Sequence, residues 1–311
     1  MYDEKWRALR AKLTPTFTSG KIKSMFNTIS DVSQQLEDTF RTEVGSGGVL
    51  DVYDLLGRYT VDVIGSCAFG IECNSLKDPQ ADFRVMGRKL FTETETNIRW
   101  ILFKLTYTVE HRERENIRRN DFMDLLIDLR KSEHSQGLSV EQLAAQVFVF
   151  FIAGFETSSS NMSYALFELA KNKDSQSKLR TEIQSVLQKH GKLTYGAMME
   201  MTYLDQVINV NAIHNDPEIY PEPHKFKPER FAPEACQQRH PMAFLGFGDG
   251  PRSCIGMRFA RMQVKMGLIT LLNRFKFSPA PGEPTEVEII NHDIVRRPQK
   301  GVKLFVKRVE T

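Results

Sequence analysis

The stretch FLGFGDGPRSCIGMRFA (244–260) presents one thiol, Cys254, among glycines at 246, 248, 250 and 256. A glycine lets backbone lie close to something flat, because no Cβ stands in the way. The run 255–275 reads as a helix. A thiol at a helix start is favoured as thiolate by unpaired N–H groups and the helix dipole. Arg252 adds a positive charge two residues away. Such a thiolate suits nucleophilic attack or metal ligation, and the plain alternative is a buried cysteine in a Gly-rich turn. As a nucleophile it would want a histidine base, and none of the seven histidines stands in a recognisable pattern with it.

Three other groups could do chemistry. Ala153-Gly154-Phe155-Glu156-Thr157 lies inside a long apolar stretch, where a glycine costs ~1 kcal/mol relative to alanine. Glu156 and Thr157 offer a carboxyl and a hydroxyl for proton movement; the alternative is a packing glycine beside a surface Glu–Thr pair. Trp6 and Arg10 sit one helical turn apart and share a face. Pro228-Glu229-Arg230-Phe231 punctuates an irregular region, 215–243, rich in Pro, His and Asn.

The elements that must position these groups are mostly helices. Residues 4–13 and 22–44 are helical candidates, the second ended by the GSGG that follows Val44. Residues 51–68 carry Val52, Leu55, Leu56, Tyr59 and Val63 at helical spacing. The run 111–131 begins as a charged, solvated face and ends amphipathic. From Ser139 to Asn172 a long buried helix is expected, opened by Ser139 and Gln142 at capping-box spacing. Next, 174–190 repeats Leu179, Ile183, Val186 and Leu187, and Gly191 supplies a stop. The tail 301–309 alternates and is β-branched, which predicts a strand, paired with Val287–Ile290. The fold class is mainly α with a small β component, in a single domain over 1–311.

Composition narrows the function. Hydrophobic residues at 41% and charged residues at 26% are the balance of a globular chain. A net charge of +3 with no long basic run gives no argument for nucleic acid. The cysteines Cys67, Cys73, Cys236 and Cys254 show no C-x-x-C, which disfavours a disulfide framework or structural zinc and fits a reducing compartment. The N-terminus is charged from its third residue, so no signal peptide is expected. The apolar run 147–155 falls short of the ~20 residues of a membrane span, which predicts a soluble chain. The 21 phenylalanines hint at a large planar ligand.

Phe247, Gly250, Arg252, Cys254 and Gly256 reproduce F-x-x-G-x-R-x-C-x-G, the haem-binding signature of cytochromes P450. The chain is identified as a resemblance to that family on this motif, on the oxygen-activation motif at 153–157, on the W-x-x-x-R helix and on P-E-R-F, in family order. WRALRAKLTPTFTSGKIK (6–23) resembles insect microsomal members. The resemblance implies haem b with the Cys254 thiolate as axial iron ligand, which favours O–O cleavage. It implies that Arg252, Trp6 and Arg10 meet haem propionates and that Phe247 packs beside the sulfur. Gly250 and Gly256 would let the loop lie against the porphyrin. Thr157 would hydrogen-bond the dioxygen, in a helix locally opened there, and Glu156 would help deliver protons.

The same resemblance implies a monooxygenase of small lipophilic substrates such as xenobiotics, plant toxins and hormones. Electrons would come from an NADPH-dependent cytochrome P450 reductase, with cytochrome b5 as a further donor, on the cytosolic face of the endoplasmic reticulum membrane. Arg258, Arg261 and Lys265 could face the reductase or form an ordinary solvated face.

The sequence also departs from that pattern. The family's E-x-x-R does not occur between Thr157 and Pro228; Glu4–Arg7 and Glu115–Arg118 match it only as solvated helix charges elsewhere. The segment 203–209 joins 212–226 through Val210 and Asn211, which reads as an internal deletion that leaves Arg230 without its partners. The join between 98–106 and 108–122 is short where the family roofs its substrate channel. The upstream anchor, first helices and most of the sheet are expected to be missing, which would make the product cytoplasmic. Two alternatives to an enzyme follow: a truncated, non-catalytic isoform or incomplete gene model that binds haem poorly or not at all, and a plain helical scaffold with a structural cysteine.

Overall fold

Helices dominate the computed structural model, which describes residues 2–89, 96–119, 121–131, 139–210, 216–284, 286–290 and 297–309. They run α1 (Tyr2–Leu13), α2 (Ser19–Ser24), α3 (Phe26–Val44), β1 (Gly48–Asp51), α4 (Val52–Ile64), α5 (Asp82–Lys89), α6 (Thr96–Arg114) and α7 (Phe122–Lys131). There follow α8 (Val140–Lys171), α9 (Lys173–His190), α10 (Tyr195–Glu200), α11 (Thr202–Val210), α12 (Pro233–Gln237), α13 (Met257–Arg274), β2 (Phe275–Pro279) and β3 (Lys303–Arg308). The residues group into two units, Met1–Val32 with Arg58–Glu156, and Ser33–Gly57 with Thr157–Thr311.

In the first unit the capping box at the head of α8 forms as its spacing predicts. The Ser139 N–H donates to Gln142 Oε1 at 3.0 Å, and the Gln142 N–H donates to Ser139 Oγ at 3.2 Å. Phe69, Phe83, Phe151 and Phe155 pack with centroids 5.1–6.3 Å apart. Helix α4 runs into a π turn, Gly65–Phe69, that periodicity did not reveal. The turn ends at Gly70 with φ +54°, where a side chain would collide with Asp121, Arg112 and Arg119.

That collision marks a buried ionic cluster and corrects the expectation of a solvated face at 111–131. Arg112, 4% exposed, donates to Asp121 Oδ1 at 2.9 Å and Oδ2 at 2.7 Å, to Asp124 Oδ1 at 3.0 Å and to the Phe69 carbonyl at 2.5 Å. A guanidinium satisfied on both edges can be buried, whereas an unpaired one cannot. Glu115 and Arg118 are solvated as expected, but they lie in the turn beyond α6 rather than within a helix. Nearby, Asp62 accepts the N–H groups of Ser75 and Leu76 at 2.7 and 2.9 Å. Burial raises its carboxyl pKa against those bonds.

The second unit holds a three-stranded antiparallel sheet in the order β1-β3-β2, with Leu50 opposite Leu304 and Phe277 opposite Val306. The tail strand is therefore real, but its partners are not Val287–Ile290. That segment bridges 297–299 instead, through Ile290 N–H to Arg297 and Gln299 N–H to Glu288, because β3 is already paired on both edges. Phe40 of α3 packs against Phe275 with its ring tilted and against Phe277 edge-on. Gln176 of α9 donates to Phe277 O and accepts from its N–H, at 2.9 and 3.0 Å. The buried Arg180 caps the end of α13 by donating to the carbonyls of Leu272 and Phe275. Glu182 accepts the first N–H groups of α11, from Tyr203 and Leu204, at 2.8 and 2.9 Å.

Three further expectations change. The predicted helix 22–44 breaks at Met25 into α2 and α3, and 51–68 starts with strand residue Asp51. The region expected to be irregular, 215–243, is described from 216 onward and is ordered there by three short helical turns and by Tyr220, whose hydroxyl donates to Ala243 O at 2.7 Å in a cluster with Phe231 and Phe244. The Val210–Asn211 join lies partly outside the described residues, which stop at Val210.

Candidate functional site

Cys254 sits on a loop that folds back on itself. The Cys254 N–H donates to the Phe247 carbonyl at 2.8 Å, and the Gly248 N–H donates to Leu245 O at 2.9 Å. Two left-handed residues turn the chain between them, Gly248 at φ +67° and Gly250 at φ +68°. Asp249 holds the second turn by accepting from the Gly250 N–H at 2.6 Å. Helix α13 begins at Met257 with Gly256 as its cap, so Cys254 lies two residues before the cap rather than at a helix start. The sulfur is exposed and not in a disulfide, and Arg252 is exposed as well.

Beside this loop is a cavity of about 110 Å³. It is lined by Thr157, Ser158 and Asn161 of α8, with Asn161 at i+4 from Thr157 and i+3 from Ser158. The rest of the lining is Phe244, Gly246 and Phe247 of the loop, Ala260, Arg261 and Val264 of α13, and Ile208 and Asn209 of α11. Thr157 and Phe247, 90 positions apart in the sequence numbering, thus line the same space. A side-chain carbon at Gly250 or Gly256 would meet no atom within 4 Å. An exposed thiol with open room at the glycines around it fits a flat group held by sulfur.

Glu156 is buried, 6% exposed, and not half of a surface pair. Gly154 has a packing reason, since a Cβ there would lie 2.7 Å from Ile64 Cδ1. Helix α8 runs unbroken from Val140 to Lys171, without the local opening that the resemblance implied. Its 18-residue window of mean hydropathy 1.3 would suffice to cross a membrane by length and composition, which the apolar run 147–155 taken alone did not suggest. Half of that window is buried, as in the core helix of a globular fold. Trp6 and Arg10 lie half-buried on α1, in the first unit.

Two expectations about charge are corrected. Arg230 is not orphaned: it donates to the carbonyls of Pro221, Glu222 and Lys225 at 2.5, 2.6 and 3.0 Å. Main-chain carbonyls serve where a carboxylate partner was expected, and desolvation lowers its pKa. Lys265 is not on a solvated face; it is 2% exposed, pairs with Asp205 Oδ2 at 2.7 Å and donates to Met198 O at 3.2 Å. Arg258 is exposed, whereas Arg261 lies over the Phe247 ring at 5.5 Å and lines the cavity. Sequence reading missed Ser158, Asn161 and Asn209. The helical spacing from Thr157 could have found Asn161; nothing local pointed to Asn209.

Comparison with known proteins adds the following. The sequence model of the family "Cytochrome P450" matches residues 1–111, 104–210 and 207–305. Cytochrome P450 6a2 of Drosophila melanogaster is 39% identical, over 98% of this chain and 76% of its own length. Cytochrome P450 6a9 of the same species is 40% identical over 98% and 75%, and Cytochrome P450 6A1 of Musca domestica 38% over 98% and 74%. Each alignment, at 383, 381 and 379 residues, is longer than the 311-residue chain, so these relatives contain internal stretches with no counterpart here. The family match breaks at 104–111 and at 207–210, the two places where the sequence reads as joined.

Proposed function

The chain belongs to the cytochrome P450 family of monooxygenases, and on that premise we propose that Cys254 is the axial ligand of a haem b and the centre of a xenobiotic-oxidising site. The observation that carries this reading is the exposed Cys254 thiol on a glycine-turned loop, beside a cavity shared by Thr157 and Phe247. When bound, the haem supplies the oxygen chemistry, with thiolate donation favouring O–O cleavage.

The chain's own residues would do the rest. Cys254 is accessible without a disulfide to break. The Phe247 carbonyl, by accepting the Cys254 N–H, holds the backbone of the ligand residue, and the Phe247 ring is the proposed neighbour of the sulfur in the haem-bound protein. Thr157 lines the cavity and would offer its hydroxyl for hydrogen bonding, and the buried Glu156 beside it in sequence is the proposed proton carrier. Trp6, Arg10 and Arg252 are the proposed propionate partners, and Gly250 and Gly256 leave room for the ring. Small lipophilic substrates, an NADPH-cytochrome P450 reductase with cytochrome b5, and the cytosolic face of the endoplasmic reticulum belong to the same proposal.

A second reading is supported by the two breaks in the family match. In it the chain retains thiolate ligation but turns over weakly or not at all. One experiment separates the readings. Purified protein is loaded with haemin, reduced, exposed to carbon monoxide and scanned, alongside Cys254→Ala. A thiolate-type Soret band, lost in Cys254→Ala, with NADPH- and reductase-dependent substrate oxidation supports the enzyme. The band without turnover supports the non-catalytic isoform. A band unchanged in Cys254→Ala overturns the ligand assignment.

A further inference from the structure

The cavity beside the cysteine loop carries a feature that the reading above does not use. Among the described residues that line it, Arg261 is the one charged group and none is acidic. Its Nε is buried and has no hydrogen-bond partner, while its guanidinium lies against the Phe247 ring. Ser158, which lines the same cavity and is 2% exposed, has a buried Oγ that is also without a hydrogen-bond partner. Buried donors left unsatisfied cost about 1–3 kcal/mol each, more when charged, so two at one cavity call for a shared acceptor. Much of the remaining wall is apolar: Ile208, Phe244, Ala260 and Val264.

We propose that Arg261 and Ser158 form a subsite for a carboxylate on a short aliphatic arm. A carboxylate accepts from both donors at once and supplies the counter-charge that Arg261 lacks within the cavity. The volume agrees: about 110 Å³ holds three or four water-sized groups at ~30 Å³ each, the size of a carboxyl and one or two methylenes. The rest of the ligand lies outside the cavity. The chemistry has two sources, a propionate arm of the porphyrin or the head of a lipophilic acid. The porphyrin source rests on the proposed function; the acid source does not.

The test uses the full chain without haem and three probes: haemin, haemin dimethyl ester and laurate. Binding is followed by absorbance for the first two and by calorimetry for the third, in wild type, Arg261→Gln, Ser158→Ala and, as a control on the exposed face of α13, Arg258→Gln. Circular dichroism and the melting temperature establish that each variant is folded.

If the porphyrin is the source, Arg261→Gln weakens haemin about tenfold or more, Ser158→Ala weakens it less, and the dimethyl ester is indifferent to both. If the acid is the source, laurate shows that pattern and haemin does not. Folded variants that bind haemin and laurate as wild type does overturn the subsite. So does equal weakening of haemin and its ester. Because the Cys254 band is read in the same haemin samples, loss of the subsite and loss of thiolate ligation are separate results.

Discussion

The four thiols of this chain differ by burial, and their reactivity follows from it. Burial pushes the Cys67 and Cys73 thiols far above the usual range, helped by the nearby charges of Asp121 and Asp62 respectively. Cys236 and Cys254 are exposed. With haem absent, iodoacetamide at pH 8 is expected to alkylate Cys236 and Cys254 within minutes and to reach Cys67 and Cys73 only in denaturant, as peptide mass spectrometry would show. Rapid native labelling of Cys67 or Cys73 would contradict this packing. The residues around Cys254 were legible in the sequence because a sharp turn at Gly248 and Gly250 admits few residue types. Arg261 was not, since a lone arginine on a helix looks the same whether it meets water or the ring of Phe247.

At the scale of elements, helix order and most boundaries followed from apolar spacing, which survives wherever one face is buried. The run 111–131 misled because charge alone does not tell a solvated face from a satisfied ionic cluster. Arg112 links α6 to the first turn of α7 and to the end of the π turn after α4. Replacing it with Met would leave Asp121 and Asp124 buried with their main cation gone. A loss of about 3–5 kcal/mol is expected in urea unfolding. Arg114→Met, which removes only an exposed pair with Glu115, should stay within about 0.5 kcal/mol of wild type. Similar losses in the two variants would mean that the cluster contributes little. Strand β1 was missed for another reason: four residues after a glycine-rich break are too few for alternation to register.

For the whole molecule, the two breaks in the family match fall within α6 and near the end of α11. Apolar spacing by itself marks neither place; comparison with the family pattern is what reveals the joins. Arg230, beyond the second join, is held by the main-chain carbonyls of Pro221, Glu222 and Lys225. Grafting the corresponding internal stretch of Cytochrome P450 6a2 between Val210 and Asn211 is expected to raise haem retained through gel filtration at least several-fold. Retention unchanged by the graft would show that the missing stretch does not limit the cofactor. The sheet has a different consequence, in biosynthesis. Strands β1 and β2 pair with β3 and not with each other, and Asp51 meets Val302 across 251 positions of sequence. At about 5–20 residues per second, translation of that interval takes roughly 12–50 seconds. For all of that time the nascent β1 has no sheet partner, and a chaperone or the ribosome surface must keep its backbone from pairing with a neighbour on the same message.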